Sequence, residues 1–305
     1  MKRKDAFLLP IEKVEELHGL TPNDPQTLGW ELEALGVREQ WKKSRGEDVT
    51  VAVIDSGCDT QHPDIRDNII GQKNVIDNSD NAYDDNGHGS HVCGTIAACD
   101  NNKGMVGVAP KSKILVVKAL NQNGNGSLSH IADAVRYAAD NGADIITMSL
   151  GCGVAFSPLR KALDYAVRKK CLTFCAAGNS GPSVDIMYPA KYKNTISIGA
   201  VNKRLERTKF TCSGESLDFL APGKDIMSIM PSNRYALMSG TSMSNPFAAG
   251  VAALYLSYYR KKSNKKYLSQ EEMIDLLKKH TISLNRPEFQ IKKYQGYGII
   301  KPVLE

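Results

Sequence analysis

An acid at Ile54-Asp55-Ser56-Gly57, a histidine at His88-Gly89-Ser90-His91 and a serine at Gly240-Thr241-Ser242-Met243 are the three residue types that together make a hydroxyl nucleophilic. A serine hydroxyl alone is a poor nucleophile at neutral pH. An imidazole that takes its proton, and a carboxylate that fixes the imidazole's tautomer, turn it into a competent one. Each piece also has a plain structural reading, since a serine ahead of a helix is most often an N-cap. The chain order acid, histidine, serine is one in which such triads occur. The local patterns fit that use. Val49–Ile54 is an apolar run that reads as a buried strand ending in Asp55, and His88 precedes a helical run from His91 to Cys99. Ser242 lies between Tyr235–Met238 and the apolar helical run Phe247–Tyr259. That is the mouth of a helix, where unpaired N–H groups and the macrodipole favour negative charge.

The elements around these residues alternate. Strands are expected at Ile114–Leu120, Asp144–Leu150, Leu172–Ala177 and Thr195–Val201, and helices at Leu28–Lys43, Leu128–Asn141 and Pro158–Lys170. Strands alternating with helices imply a parallel sheet with right-handed crossovers, an α/β class. Ser269-Gln270-Glu271-Glu272 reads as a capping box that opens a helix to about Lys279, and the last residues read as an extended surface tail.

Ala176-Ala177-Gly178-Asn179-Ser180-Gly181 adds a fourth block. An asparagine after glycine is usually a turn residue. Taken with the blocks at Asp55, His88 and Ser242, however, it resembles the active-site blocks of the subtilisin family, a likeness that runs from about Gln26 to Tyr259. The resemblance implies a three-layer fold, with a mostly parallel central sheet flanked by helices. It implies a serine endopeptidase acting on protein and peptide substrates through an acyl-enzyme, with Asp55, His88 and Ser242 as triad. Asn179 would be the oxyanion donor, paired with the Ser242 backbone N–H. It makes Gly124-Asn125-Gly126 and Ser149-Leu150-Gly151 the edge strands that flank a bound peptide. Met187 would stand at the base of the specificity pocket, where many members carry a small residue; its thioether shortens the pocket yet adapts to guests, and no strong preference for basic residues follows. Leu128, Ile131 and Leu150 either line a pocket for P4 or pack in the core. Ser244-Asn245-Pro246-Phe247 departs from the family's usual Ala-Ser-Pro-His at a position the triad does not use.

The same resemblance implies a Ca2+ ion held by the side chains of Asp64 and Asn101, by the carbonyls of Cys99, Lys103 and Met105, and by Gln26. The loop would otherwise be a plain turn. Oxygen donors at this density suit calcium.

At 305 residues the chain is long enough for one large core. Its net charge of +6 lies partly in C-terminal pairs such as Lys265-Lys266 and Lys292-Lys293. No aromatic or glycine pattern accompanies them, so they read as solvated surface and not as a nucleic-acid site. No apolar run approaches the roughly 20 residues of a membrane span. Seven cysteines, odd in number and without framework spacing, fit free thiols in a reducing, cytoplasmic compartment. Cys171 and Cys175 have no second ligand pair near them. Cys93, five residues after His88, is either a small core residue or a thiol near the triad.

Residues 1–25 read as a unit apart from a peptidase domain at 26–305. Met1-Lys2-Arg3-Lys4 is followed by an apolar stretch, Ala6–Ile11, shorter than the about 7–15 residues of a signal-peptide core. Phe7-Leu8-Leu9-Pro10-Ile11 precedes a short polar helix-like stretch and the turn-rich Thr21–Pro25. Leu8-Leu9-Pro10-Ile11 loosely resembles the N-terminal motif of intracellular subtilisins, which lies in the enzyme's own groove with its proline keeping the bond away from the serine. The expectation is therefore an inhibitory extension in an intracellular enzyme. A peptide-binding pseudoprotease and a secreted subtilisin are the rival readings. The oligomeric state is left open, a homodimer included.

Overall fold

The computed structural model describes residues 5–305; Met1–Lys4, the basic start of the expected extension, lie outside them. Seven parallel strands make the central sheet. In chain order they are β3 (Thr50–Asp55), β4 (Ile69–Asn74), β5 (Lys113–Lys118), β7 (Ile145–Met148), β9 (Leu172–Ala176), β10 (Ile196–Val201) and β11 (Phe219–Pro222), and in space they run β11-β10-β9-β7-β3-β5-β4. All residues of β7, β9 and β10 are buried, as parallel strands covered on both faces must be. From β3 the chain goes first to β4 at the sheet edge, comes back with β5 between the two, and then crosses to the other side of β3 with β7. That switch beside β3 opens a crevice at the strands' carboxyl ends, and Asp55 is the last residue of β3.

Helices α3 (His88–Ala97) and α6 (Thr241–Ser263) pack on each other and on the sheet. So do α4 (Leu128–Asp140) and α5 (Ser157–Arg168) as a second pair, which gives three layers. Shorter helices are α1 (Trp30–Ala34), α2 (Val37–Gln40), α7 (Gln270–Lys278) and α8 (Lys292–Gln295). Two small antiparallel sheets complete the fold. One is β6 (Asn125–Ser127), β1 (Asp5–Leu8) and β8 (Leu150–Gly151), with β1 in the middle; the other is β12 (Ile226–Met230), β13 (Arg234–Ser239) and β2 (Lys13–Glu16), with β13 in the middle.

Several expectations are corrected. Leu28–Lys43 is not one helix: Gly36 takes a left-handed φ of 68° and separates α1 from α2. The histidine helix starts at His88 itself and ends at Ala97. The serine helix starts at Thr241, with Pro246 inside its second turn. The stretch after Ile11 is strand β2, not helix, because it takes its hydrogen bonds from the edge of β13. The C-terminal end is packed, not an extended surface tail: Ile299, Ile300 and Leu304 are buried, and Ile299 bridges to Leu220 and Ile282. The capping box at Ser269 and Glu272 is present with both hydrogen bonds.

Candidate active site

Asp55 and His88 meet because α3 lies directly on the turn that ends β3. Gly89 approaches Gly57 so closely that a β-carbon there would stand 2.1 Å from the Gly57 carbonyl oxygen. Asp55 Oδ1 sits 2.8 Å from His88 Nδ1 and also accepts the Ser56 N–H (2.7 Å). Both residues are buried, and Asp55 Oδ2 and His88 Nε2 have no hydrogen-bond partner among the described residues. The motif contains a second histidine, and the structure separates the two. Burial, and secondly the neighbouring His88, hold His91 down to about 3, and its Nε2 lies 3.0 Å from the Ile226 carbonyl. His91 is thus a neutral structural residue, whereas His88 has a carboxylate on one nitrogen and the other nitrogen free.

Ser242 is the second residue of α6, and its carbonyl would normally accept the N–H four residues on. That residue is Pro246, which has none. Ser149 Oγ donates to the Ser242 carbonyl instead (2.9 Å), and Ser242 Oγ donates to the Ser149 carbonyl (3.3 Å). Ser149, expected as a substrate-strand residue, therefore also clamps the serine. The hydroxyl is hydrogen-bonded to Ser149, with none to His88, in line with the looseness of nucleophile–base contacts in resting sites.

Asn179 is held by Thr241, whose N–H (2.9 Å) and Oγ1 (2.7 Å) both donate to Asn179 Oδ1. This turns the amide nitrogen outward, where Nδ2 donates to the carbonyl of Pro10 (2.8 Å). The orienting role of Thr241 was missed from sequence; its place beside the serine was the available signal.

The extension runs through the expected groove. Phe7 pairs with Asn125 on one side and Gly151 on the other, Ala6 pairs with Gly126, and Leu8 pairs with Leu150. Leu8 N–H donates to the Gly124 carbonyl (2.8 Å). Leu9 is buried with Cδ2 2.6 Å from where a β-carbon of Gly151 would stand, and Met187 Sδ is 3.4 Å from the same point. Six of the seven expected substrate residues thus lie along β1 or beside Leu9, and the seventh, Ser149, is on the serine. Leu128, Ile131 and Leu150 are fully buried in the core cluster that also holds Ala6. Ser180, next to Asn179, is exposed.

The expected calcium residues are brought together as well. Asp64 is buried; its Oδ2 accepts the Met105 N–H (2.8 Å) and the Tyr235 hydroxyl (2.8 Å), while Oδ1 has no partner. Burial pushes its carboxyl upward. The carbonyls of Cys99 (3.0 Å) and Lys103 (3.5 Å) converge on Gln26 Nε2, and Asn101 Oδ1 accepts the Lys103 N–H (3.0 Å). A β-carbon at Gly104 would fall 2.3 Å from Asp64 Oδ2, so the space over the carboxylate exists only because that residue is glycine. No group of three or more His, Cys, Asp or Glu stands together among the described residues; a carbonyl-rich set would not form one.

All seven cysteines are free, and all but Cys99 are buried. Burial first, then a hydrogen bond with Cys58, pushes the Cys93 thiol well up, which marks it as an inert core group near Asp55. Among the described residues no helix is long and apolar enough to cross a membrane.

A seven-stranded parallel sheet with a buried acid–histidine pair at its switch point and a serine at a helix mouth defines an α/β serine hydrolase site. The subtilase family model matches residues 46–298, and the chain belongs to that family: it is a subtilisin-like serine protease. It is 40% identical over 278 residues to an intracellular serine protease of Paenibacillus polymyxa, covering 88% of this chain and 83% of that one. It is 39% identical over 264 residues to the major intracellular serine protease of Bacillus subtilis strain 168, covering 83% of this chain and 82% of that one. To the subtilisin of Bacillus pumilus it is 44% identical over 216 residues, 70% of this chain and 78% of the other.

Proposed function

We propose that this chain is an endopeptidase that works through Asp55, His88 and Ser242 and is held inactive by its own residues 1–25. One observation carries the proposal: Asn179 donates to a carbonyl of the N-terminal segment, Pro10, while that segment is zipped between β6 and β8. A peptide substrate laid the same way would present a carbonyl to Asn179 Nδ2 and the Ser242 N–H. Ser242 Oγ attacks the carbonyl carbon, and His88 Nε2 takes the hydroxyl proton. Asp55 holds Nδ1–H and stabilises the imidazolium. The tetrahedral oxyanion is held by Asn179 and the Ser242 N–H, then collapses as His88 protonates the departing amine. Water repeats the steps on the acyl-enzyme.

The segment escapes cleavage through its register. Leu9 fills the space beside Met187, so the bond to be cut would be Leu9–Pro10. The carbonyl on Asn179 is that of Pro10, one residue later. Pro10 has a fixed φ and no N–H, and cannot shift to correct this. Labelling of Ser242 by a fluorophosphonate tests the nucleophile directly; a full-length protein that is activated yet unlabelled would rule it out.

Met187 sets the length of the pocket in this reading. Met187→Ala should raise kcat/KM for peptides with Phe or Tyr before the scissile bond about tenfold relative to Leu peptides, the scale on which small changes in apolar pockets discriminate. Unchanged ratios on a matched peptide series would remove Met187 from the pocket.

Calcium fits the Asp64 loop: an unpartnered buried oxygen, two converging carbonyls and Asn101 supply oxygen donors. Turning the Gln26 amide by half a rotation would add its Oε1. The ion would neutralise Asp64 and tie residues 99–105 to Gln26; it takes no part in the chemistry. In the Ser242→Ala protein, a hundredfold excess of calcium over its Kd should raise Tm by about 5 °C relative to chelator. Equal midpoints would exclude the site. The names of the two intracellular relatives and seven free thiols support an intracellular location.

A further inference from the structure

Beyond the groove the N-terminal segment continues as a second added strand. β2 lies antiparallel on β13, with Lys13 opposite Ser239 and Glu16 opposite Ala236. The ladder extends at both ends: Glu12 N–H donates to the Ser239 carbonyl (3.0 Å), and Leu17 N–H to the Tyr235 carbonyl (2.9 Å). No side chain of β2 is buried, and Val14 is 51% exposed. Apolar burial therefore contributes little here. What holds the strand is its backbone ladder, together with two ion pairs to the body of the protein: Glu16 with Arg234 (2.8 Å) and Glu12 with Lys224 (3.5 Å). Exposed pairs of this kind add little affinity, but they choose among partners and set orientation.

β13 runs directly into Gly240 and Ser242. A chain that leaves the groove at Leu9 thus reaches the β13 edge after Pro10 and Ile11, already pointing the right way. Once the segment is gone, that edge is unpaired, and Arg234 and Lys224 lose their carboxylates. Recognition that uses no buried side chain can be met by any extended chain that supplies the backbone and the two negative charges.

We propose that the β13 edge, with Lys224 and Arg234, is a docking strand for the part of a polypeptide substrate that follows the scissile bond, and that it favours acidic, extended chains there. The inference rests on the reading of Asp55, His88 and Ser242 as the catalytic site. Counted from the bond after Leu9, Glu12 is the third residue and Glu16 the seventh. Acidic residues at those two places of a substrate meet Lys224 and Arg234.

The test uses the full chain, preincubated until its rate on a short peptide is constant. Two internally quenched peptides share the residues up to the second after the scissile bond; one stops there, the other continues Glu-Lys-Val-Glu-Glu-Leu. The longer peptide should be cleaved with about tenfold higher kcat/KM, through a lower KM, and the part of the gain due to charge should shrink in about 0.5 M salt. A synthetic peptide copying residues 12–18 should inhibit cleavage of the longer substrate and spare the shorter. With Arg234→Glu, placing Lys at the seventh position should restore the length effect that the acidic peptide loses. Equal kcat/KM for the two lengths, or equal inhibition of both, overturns the docking strand while continued cleavage leaves the peptidase reading standing. Cleavage of neither peptide counts against the peptidase reading and this inference with it.

Discussion

Ser242→Ala gives a folded protein that binds peptide and hydrolyses none at a measurable rate. The loss in kcat should be about 10⁶-fold, a magnitude taken over from subtilisin itself, because nucleophile and base act as a unit. Folding should survive. The hydroxyl makes one 3.3 Å hydrogen bond to the Ser149 carbonyl, while the Ser242 carbonyl keeps its bond from Ser149 Oγ. Asn179→Ala should spare substrate binding and lower kcat by about 10²–10³, again the value that subtilisin's own oxyanion asparagine sets. Thr241→Ala should lose part of the same factor by letting the amide turn, without touching substrate. Casein hydrolysis at the parental rate by purified Ser242→Ala protein would end the assignment.

Deleting residues 1–18 should give an enzyme active from the first seconds. The full chain should show a lag that shortens as protein concentration rises. A segment tethered through Thr21–Pro25 faces the groove at an effective concentration of about millimolar, so micromolar intrinsic affinity is enough to suppress activity about 10³-fold. Removing it uncovers the space filled by Leu9 and the edges of β6, β8 and β13. Cleavage between Gly19 and Gln26 would do the same, and Gly19 is exposed with a φ of 95°. Pro10→Ala should free the segment's register, make it a substrate and shorten the lag. Superimposable progress curves for the three proteins on a short chromogenic peptide would show that the segment does not inhibit.

The chain's own residues announced the acid at the end of a strand, the histidine, the serine at a helix mouth and Asn179 after Gly178. These signals are local: an apolar run, a turn glycine and the three residue types carry them with no knowledge of distant neighbours. The parallel sheet was legible for the same reason, since strands buried on both faces are written as unbroken apolar runs. Boundaries were less so. Gly36 broke a helix that composition favoured, and α6 began six residues before its apolar run, because the Ser242 carbonyl that Pro246 leaves without an N–H accepts a hydroxyl from elsewhere in the chain.

What only the tertiary structure decided concerns groups far apart in sequence. Nothing near Lys13–Glu16 encodes a strand. Its side chains are exposed and, apart from Val14, polar, and it is extended because β13 offers a row of unpaired backbone groups. The carbonyl that Asn179 holds, the hydroxyls by which Thr241 and Ser149 fix Asn179 and Ser242, and the pairing of His88 and not His91 with Asp55 likewise depend on which atoms the fold brings within about three ångströms. A hydrogen bond or a buried pair has no sequence period, so residue types can propose a partner, but only the packed chain selects one.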